Sequence, residues 1–335
     1  MSAASNIYLA DPALPVLADA LLRQTETADT YPVSNNSSPK SSWNLQDDWT
    51  KGFQSSGQGI FRPGTVLAFS RLQGRSDESN EYIAQIPRYL LIKQLRSITP
   101  SHETSAFIIH PGSFEGFAPR TLLRDLQSSS EEQPGLPKEE AIRRLDSVQL
   151  YPVHSFINAA QAIAKVSDVL QGGGENQEQS TESNSPKKTP IFLIVVGLDY
   201  FTESVIRSSN PAKGAAYLTA TLRTLTRLSR VHPHLSVMLV NTSGLGNLNS
   251  GWDKHPQSTA QAHGNENARN PLEEGIHSVF HTDIPSLFPT LLMKTLDQGI
   301  DTHLLLSHSG GSQVIEVIKD RVGDSLGRWG IWKQQ

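Results

Sequence analysis

Ile191-Phe-Leu-Ile-Val-Val-Gly-Leu-Asp199 is the stretch on which the fold turns. It opens with an unbroken apolar run from Ile191 to Val196, rich in β-branched side chains. A strand with one wet face alternates polar and apolar residues, whereas a parallel strand covered by helices on both faces is apolar throughout. The run therefore belongs at the centre of a parallel sheet. Asp199, two residues beyond Gly197, then falls at the carboxyl end of that strand, where open α/β sheets bind their ligands. A carboxylate there can hold Mg²⁺ through water. The same residue can equally cap a helix or close a turn.

Working outward, apolar runs and helical spacings alternate along the chain. Gly64-Thr-Val-Leu-Ala-Phe-Ser70 reads as a strand and is followed by a turn and a helix around Tyr82 to Leu95. Ala106 to His110 and Val148 to Tyr151 are further strands, each followed by helix-like text, Pro119 to Leu126 and Ser155 to Leu170. Lys213 to Val231 is a helix leading into the strand Leu235 to Val240. His303 to Ser307, Gln313 to Ile318 and Arg328 to Trp332 read as an antiparallel β extension. The predicted fold class is thus α/β, with a mostly parallel central sheet, helices on both faces and an antiparallel C-terminal extension. Residues 1–60 are expected to hold a short helix, Pro12 to Arg23, and a flexible segment; 61–335 form the core. Two polar stretches, at about 171–189 and 243–275, are too poor in apolar residues to offset their ordering entropy and read as disordered inserts.

Composition narrows the function classes. The chain has 335 residues, a formal charge of −4 and a pI near 6.3, so no overall basic field draws it to nucleic acid or anionic lipid. Nucleic-acid contacts have to be local. It has no cysteine, which removes disulfides, thiolate metal sites and thiol nucleophiles. No run reaches the roughly 18 apolar residues that a membrane span needs, and the expectation is a soluble intracellular protein without a membrane partner. Helical metal pairs, a serine nucleophile elbow and paired carboxylates are not found in the sequence.

A phosphate loop takes the form GxxxxGK[ST], in which backbone N–H groups wrap the phosphates, the lysine reaches the outer oxygens and the hydroxyl meets Mg²⁺. After the first core strand stands Phe69-Ser-Arg-Leu-Gln-Gly74-Arg75-Ser76. Gly74 and Ser76 keep their places, Arg75 stands where lysine belongs and Phe69 replaces the first glycine. This is either a degenerate phosphate loop or an ordinary turn with an exposed arginine.

Taken in order, several segments resemble the catalytic core of RecA-like eukaryotic recombinases and their paralogs, the group that includes the Shu-type recombination mediators. These are Pro63 to Leu67 with the loop after it, Phe107-Ile-Ile-His-Pro-Gly112, Phe192 to Asp199, Leu222 to Leu228, Val237 to Thr242, and Lys319-Asp-Arg321-Val-Gly with Arg328-Trp329. The resemblance spans roughly Phe61 to Lys333. It implies a RecA-like P-loop NTPase core and a nuclear protein of DNA recombination and repair. It also implies ATP and Mg²⁺ as cofactors, with Gly74, Arg75, Ser76 and Asp199 as a degenerate nucleotide or phosphate site. The implied partners are other RecA-like recombinase or paralog subunits and single-stranded DNA.

Departures from that family weigh against turnover. Where its strand ends in Asp-Thr-Glu-Gly, this chain reads Ile109-His110-Pro111-Gly112, and a proline cannot orient water. Rapid ATP hydrolysis without the lysine and the glutamate is not expected, and the reading is a non-hydrolysing or weakly active paralog. Lys319, Arg321 and Arg328, together with Lys333, are the nominated DNA contacts, although charge on terminal strands also protects a sheet edge. Arg223, Arg227 and Arg230 line one side of a helix, which a solvated face explains as well. Two other readings stay open: a slow ATPase using Arg75, and a RecA-like ring subunit of an Elongator-type tRNA-modification assembly.

Overall fold

The structure is a computed structural model that describes residues 45, 48, 52–54, 59–72, 81–97, 104–129, 134–172, 190–246, 276–281, 284, 286–309 and 311–332. The helix at 12–23, most of the segment up to 60, Gly74, Arg75, Ser76, the inserts at 173–189 and 247–275, and Lys333 lie outside the described residues.

Eight strands form one sheet: β1 Val66–Leu72, β2 Ala106–Pro111, β3 Val148–Val153, β4 Ile191–Val196, β5 Leu235–Leu245, β6 Thr302–Ser309, β7 Ser312–Asp320 and β8 Trp329–Trp332. Their spatial order is β3-β2-β4-β5-β1-β6-β7-β8. The first six pair in parallel, and β7 and β8 add on antiparallel. Seven helices accompany them among the described residues: α1 Glu81–Ser97, α2 Pro119–Gln127, α3 Lys138–Leu145, α4 Phe156–Gly172, α5 Leu198–Ser208, α6 Pro211–Val231 and α7 Leu291–Gln298.

Strand periodicity sorts the sheet's side chains between two cores. Leu67, Phe69, Ile108, Ile194 and Val240 pack with Ile83, Leu90 and Leu91 of α1 and with Leu122 and Leu126 of α2. Val66, Ala68, Ile109, Val195 and Leu239 pack on the other face with Ala159 and Ile163 of α4, Phe201 of α5, and Leu218 and Leu225 of α6. The continuous apolar run of β4 follows from this double cover. α6 starts where Asn210 accepts the backbone N–H of Lys213 at 2.8 Å, with Pro211 in the first turn, and its leucines bury one side.

Three helices were not foreseen. α3 (Lys-Glu-Glu-Ala-Ile-Arg-Arg-Leu) and α7 (Leu-Leu-Met-Lys-Thr-Leu-Asp-Gln) fall in text that periodicity left unassigned. α5 begins directly after Gly197, so Asp199 sits in a helix's first turn. β5 runs on to Leu245, into the stretch expected to be an insert. The packed unit also starts before residue 61. It extends from Trp43 to Gln335, with Leu45, Phe53 and Ile60 buried and Phe53 against the rings of Phe61 and Phe192.

Candidate functional site: the carboxyl edge of the parallel strands

Because β1 to β6 are parallel, their carboxyl ends share one edge. The crossovers from β1 and β2 run through α1, α2 and α3 on one face; those from β3, β4 and β5 run through α4 to α7 on the other. At the β5/β1 and β2/β4 boundaries neighbouring strands hand the chain to opposite faces. Such switch points open the crevice in which α/β sheets hold ligands.

Asp199 lies at this edge. Gly197 ends β4 at φ 72°, its N–H held by Val240 O at 2.9 Å, and a Cβ there would come within 3.1 Å of the Pro111 ring. That sharp left-handed turn drops Asp199 against the exit of β5. One carboxylate oxygen accepts the backbone N–H of Ser243 at 2.6 Å, and the other lies 3.5 Å from the Thr242 hydroxyl. Only 3% of the residue is exposed. Burial pushes its pKa up, and the N–H groups of Ser243, Thr242 and Tyr200 only partly offset this. The acid thus clamps two strand exits together.

β1 carries the second observation. Its pairing does not stop at Phe69, the first position of the phosphate-loop match. Ser70 lies opposite Asn241 of β5 and Leu305 of β6, Arg71 opposite Leu306, and Leu72 opposite Leu245. Phe69 itself is fully buried in the core. A phosphate cradle needs the N–H groups after the strand to turn toward the ligand; from Phe69 to Leu72 the backbone is taken up in the sheet instead. Gly74, Arg75 and Ser76, the rest of the match, lie outside the described residues. At the end of β2, His110 Nδ1 lies 2.8 Å from Pro111 O, which ties its ring to the backbone of the next residue.

Beneath the same edge lies a polar chain that the sequence reading missed. Asn241 Nδ2 donates to Ser70 Oγ at 2.8 Å, and Ser70 Oγ is 2.7 Å from His303 Nε2. The Asp297 carboxylate facing Nδ1 favours the imidazole hydrogen there, which leaves Nε2 to accept from the Ser70 hydroxyl. Nδ1 faces Asp297 Oδ1 at 3.6 Å, too far for a hydrogen bond but near enough for attraction. Burial lowers the pKa of His303 more than Asp297 raises it, so the ring is neutral. Burial raises the pKa of Asp297, but His303 and the Lys319 ammonium pull it down further, so it stays ionised. Serine, histidine and aspartate in series suggest acyl transfer. However, Ser70 and His303 are wholly buried, and the Phe288 ring lies 5.6 Å from the imidazole, so no substrate can reach the hydroxyl. The series is a strut. One signal was available: a polar residue ends the apolar run at Ser70 and at Asn241, and another opens it at His303.

The nominated basic residues are engaged. Lys319 Nζ reaches Asp297 Oδ2 at 2.6 Å, Arg321 Nη1 donates to Gln298 O at 2.9 Å, and Arg328 pairs with Asp324 at 3.3 Å. No group of three potential metal ligands occurs among the described residues. Nor is any helix among them long and apolar enough to cross a membrane.

A mostly parallel sheet, a helical layer on each face and an antiparallel end match the fold class expected from the sequence. The fold is α/β. Among solved structures, the chain is similar to a crystal structure of the RadB recombinase, with 15% identity over 82% of this chain and 88% of that one and a TM-score of 0.43. No family model matches the sequence, and no curated protein does. Within this sheet, the structure brings Asp199 to the carboxyl edge and leaves the terminal-strand cations elsewhere, paired with their own neighbours.

Proposed function

We propose that the chain is a non-hydrolysing recombinase paralog, a RecA-like subunit that assembles with other RecA-like subunits and supports recombinase filaments on DNA in the nucleus. The choice of partners, DNA and compartment comes from the sequence resemblance. The non-hydrolysing part is supported by one observation above the rest: β1 stays paired on both sides through Ser70, and Arg71 and Leu72 each keep one partner strand, where a working site needs free N–H groups. The engagement of Asp199 with the β5 exit points the same way. A subunit that has lost turnover but kept the fold acts through its surfaces.

Titration of the pure protein with labelled ATP and Mg²⁺, with and without single-stranded DNA, tests this reading. No saturable nucleotide binding is expected in either case, while a pull-down retains RecA-like subunits. ATP turnover that disappears in Asp199→Ala would overturn the proposal in favour of a slow ATPase. Preference for tRNA over single-stranded DNA, with a cytoplasmic location, would overturn it in favour of an Elongator-type ring subunit.

A further inference from the structure

α6 has an exposed face that the site does not use. The helix has no aspartate or glutamate, in a chain of net charge −4, and it carries Lys213, Arg223, Arg227 and Arg230. Arg230 is occupied, bonded to Gly64 O and, at 2.7 Å, to Asp301. Arg223 and Arg227, one turn apart and exposed, have no ion-pair partner among the described residues. Lys213 is also exposed, and its ammonium lies 5.8 Å from the centroid of the Tyr217 ring, which stacks on Phe156 at 5.9 Å and is 41% exposed. Ala216 and Ala220, exposed on the same face, keep the surface between these residues low. From Lys213 to Arg227 the row measures about 21 Å at 1.5 Å per residue.

We infer that this face of α6 binds the backbone of single-stranded nucleic acid, with Lys213, Arg223 and Arg227 on phosphates and Tyr217 stacking on a base. The inference rests on the DNA-linked reading above and gives it a surface. Three features favour nucleic acid over an acidic protein. Forked guanidinium groups match phosphate oxygens in pairs. An exposed aromatic ring among cations is how sequence-independent single-strand binders hold bases. The small residues between them let a sugar-phosphate chain approach the helix. The contrast with the C-terminal strands is informative, because Lys319, Arg321 and Arg328 already have partners inside the molecule.

Fluorescence anisotropy of a labelled oligo-dT of about 30 nucleotides, titrated with full-length protein between about 50 and 300 mM NaCl, tests the inference. Three phosphate contacts give a log–log salt slope of about −2, at about 0.7 per contact on a single strand. The double variant Arg223→Gln/Arg227→Gln is expected to flatten the slope to about −0.7 and to weaken binding about 25-fold at 0.1 M salt, those 1.4 log units being counted from 1 M. Tyr217→Ala is expected to weaken binding and leave the slope unchanged. These positions are exposed, so an unchanged circular-dichroism melt will show that the fold is intact. The inference is overturned by an unchanged slope in the double variant, by a slope that flattens in Arg321→Gln/Arg328→Gln instead, or by wild-type protein that binds polyglutamate and not oligo-dT. If RecA-like subunits are still captured in any of these cases, only the α6 surface falls. If wild-type protein captures neither subunits nor DNA, the functional reading falls with it.

Discussion

Asp199 receives neutral donors, the N–H groups at the β5 exit and a hydroxyl, and it bears the cost of burial. Its pKa in the folded state therefore lies above the unfolded value, and ionisation works against the fold. The stabilising contribution of the neutral acid is present below the ordinary carboxylate pKa of about 4 and is lost as pH rises through the raised value. Asp199→Asn keeps an acceptor for Ser243 and removes the titration. In urea unfolding, wild-type protein is expected to lose stability relative to this variant as pH rises from about 4 toward neutrality. Glu316, also raised by burial and bonded to Ser278 and Val279, is present in both proteins and cancels in the difference. Asp199→Ala orphans the Ser243 N–H and should cost about 1–3 kcal/mol. Asp297 has the opposite sign. Held below its ordinary pKa by His303 and Lys319, it stabilises above that value and loses its effect as pH falls through the lowered one. Asp297→Asn is expected to cost about 2 kcal/mol at neutral pH, with the deficit shrinking in acid.

At the scale of elements, β1 explains why repairing one residue will not revive the site. Arg75→Lys restores the motif's lysine but leaves Phe69 in place of its first glycine and Ser70 to Leu72 in the ladder, so a filter-binding assay should find no more ATP bound than by wild-type protein. The turn at Gly197 is a single residue with a positive φ and the Pro111 ring close by; Gly197→Ala should cost about 1–3 kcal/mol in thermal unfolding. Strands were legible in the sequence because burial on two faces writes a continuous apolar run, as in β2, β4 and β5. α5 was not, since one glycine makes the entire link from strand to helix and leaves no loop text. α3 was hidden by its charge. It is fixed by tertiary contacts, with Arg144 on Glu140 at 2.8 Å and on the last carbonyls of α1, Leu95 and Arg96. Likewise the position of Asp199 could be read from its strand, but its partner Ser243 could not. The bond between Ser70 and His303 joins residues 233 apart, which no local pattern records.

For the whole molecule, the boundary of the packed unit makes the clearest prediction. Deleting residues 1–42 keeps the whole unit from Trp43 to Gln335 and provides the reference truncation. Deleting 1–60 removes Leu45, Phe53 and Ile60 from the core and should cost at least about 4 kcal/mol, since a single large buried side chain is worth about 2–5. Fluorescence-monitored unfolding of the two truncations would measure this difference. β1 also bears on how the protein breathes. It lies in the interior of the sheet, with a partner strand on either side through Ser70, so the amide hydrogens of that stretch have no local route to solvent. In heavy water they should exchange with deuterium only when the entire domain opens, at the slow pace of its most protected amides. A loop built to admit and release phosphates would exchange far sooner.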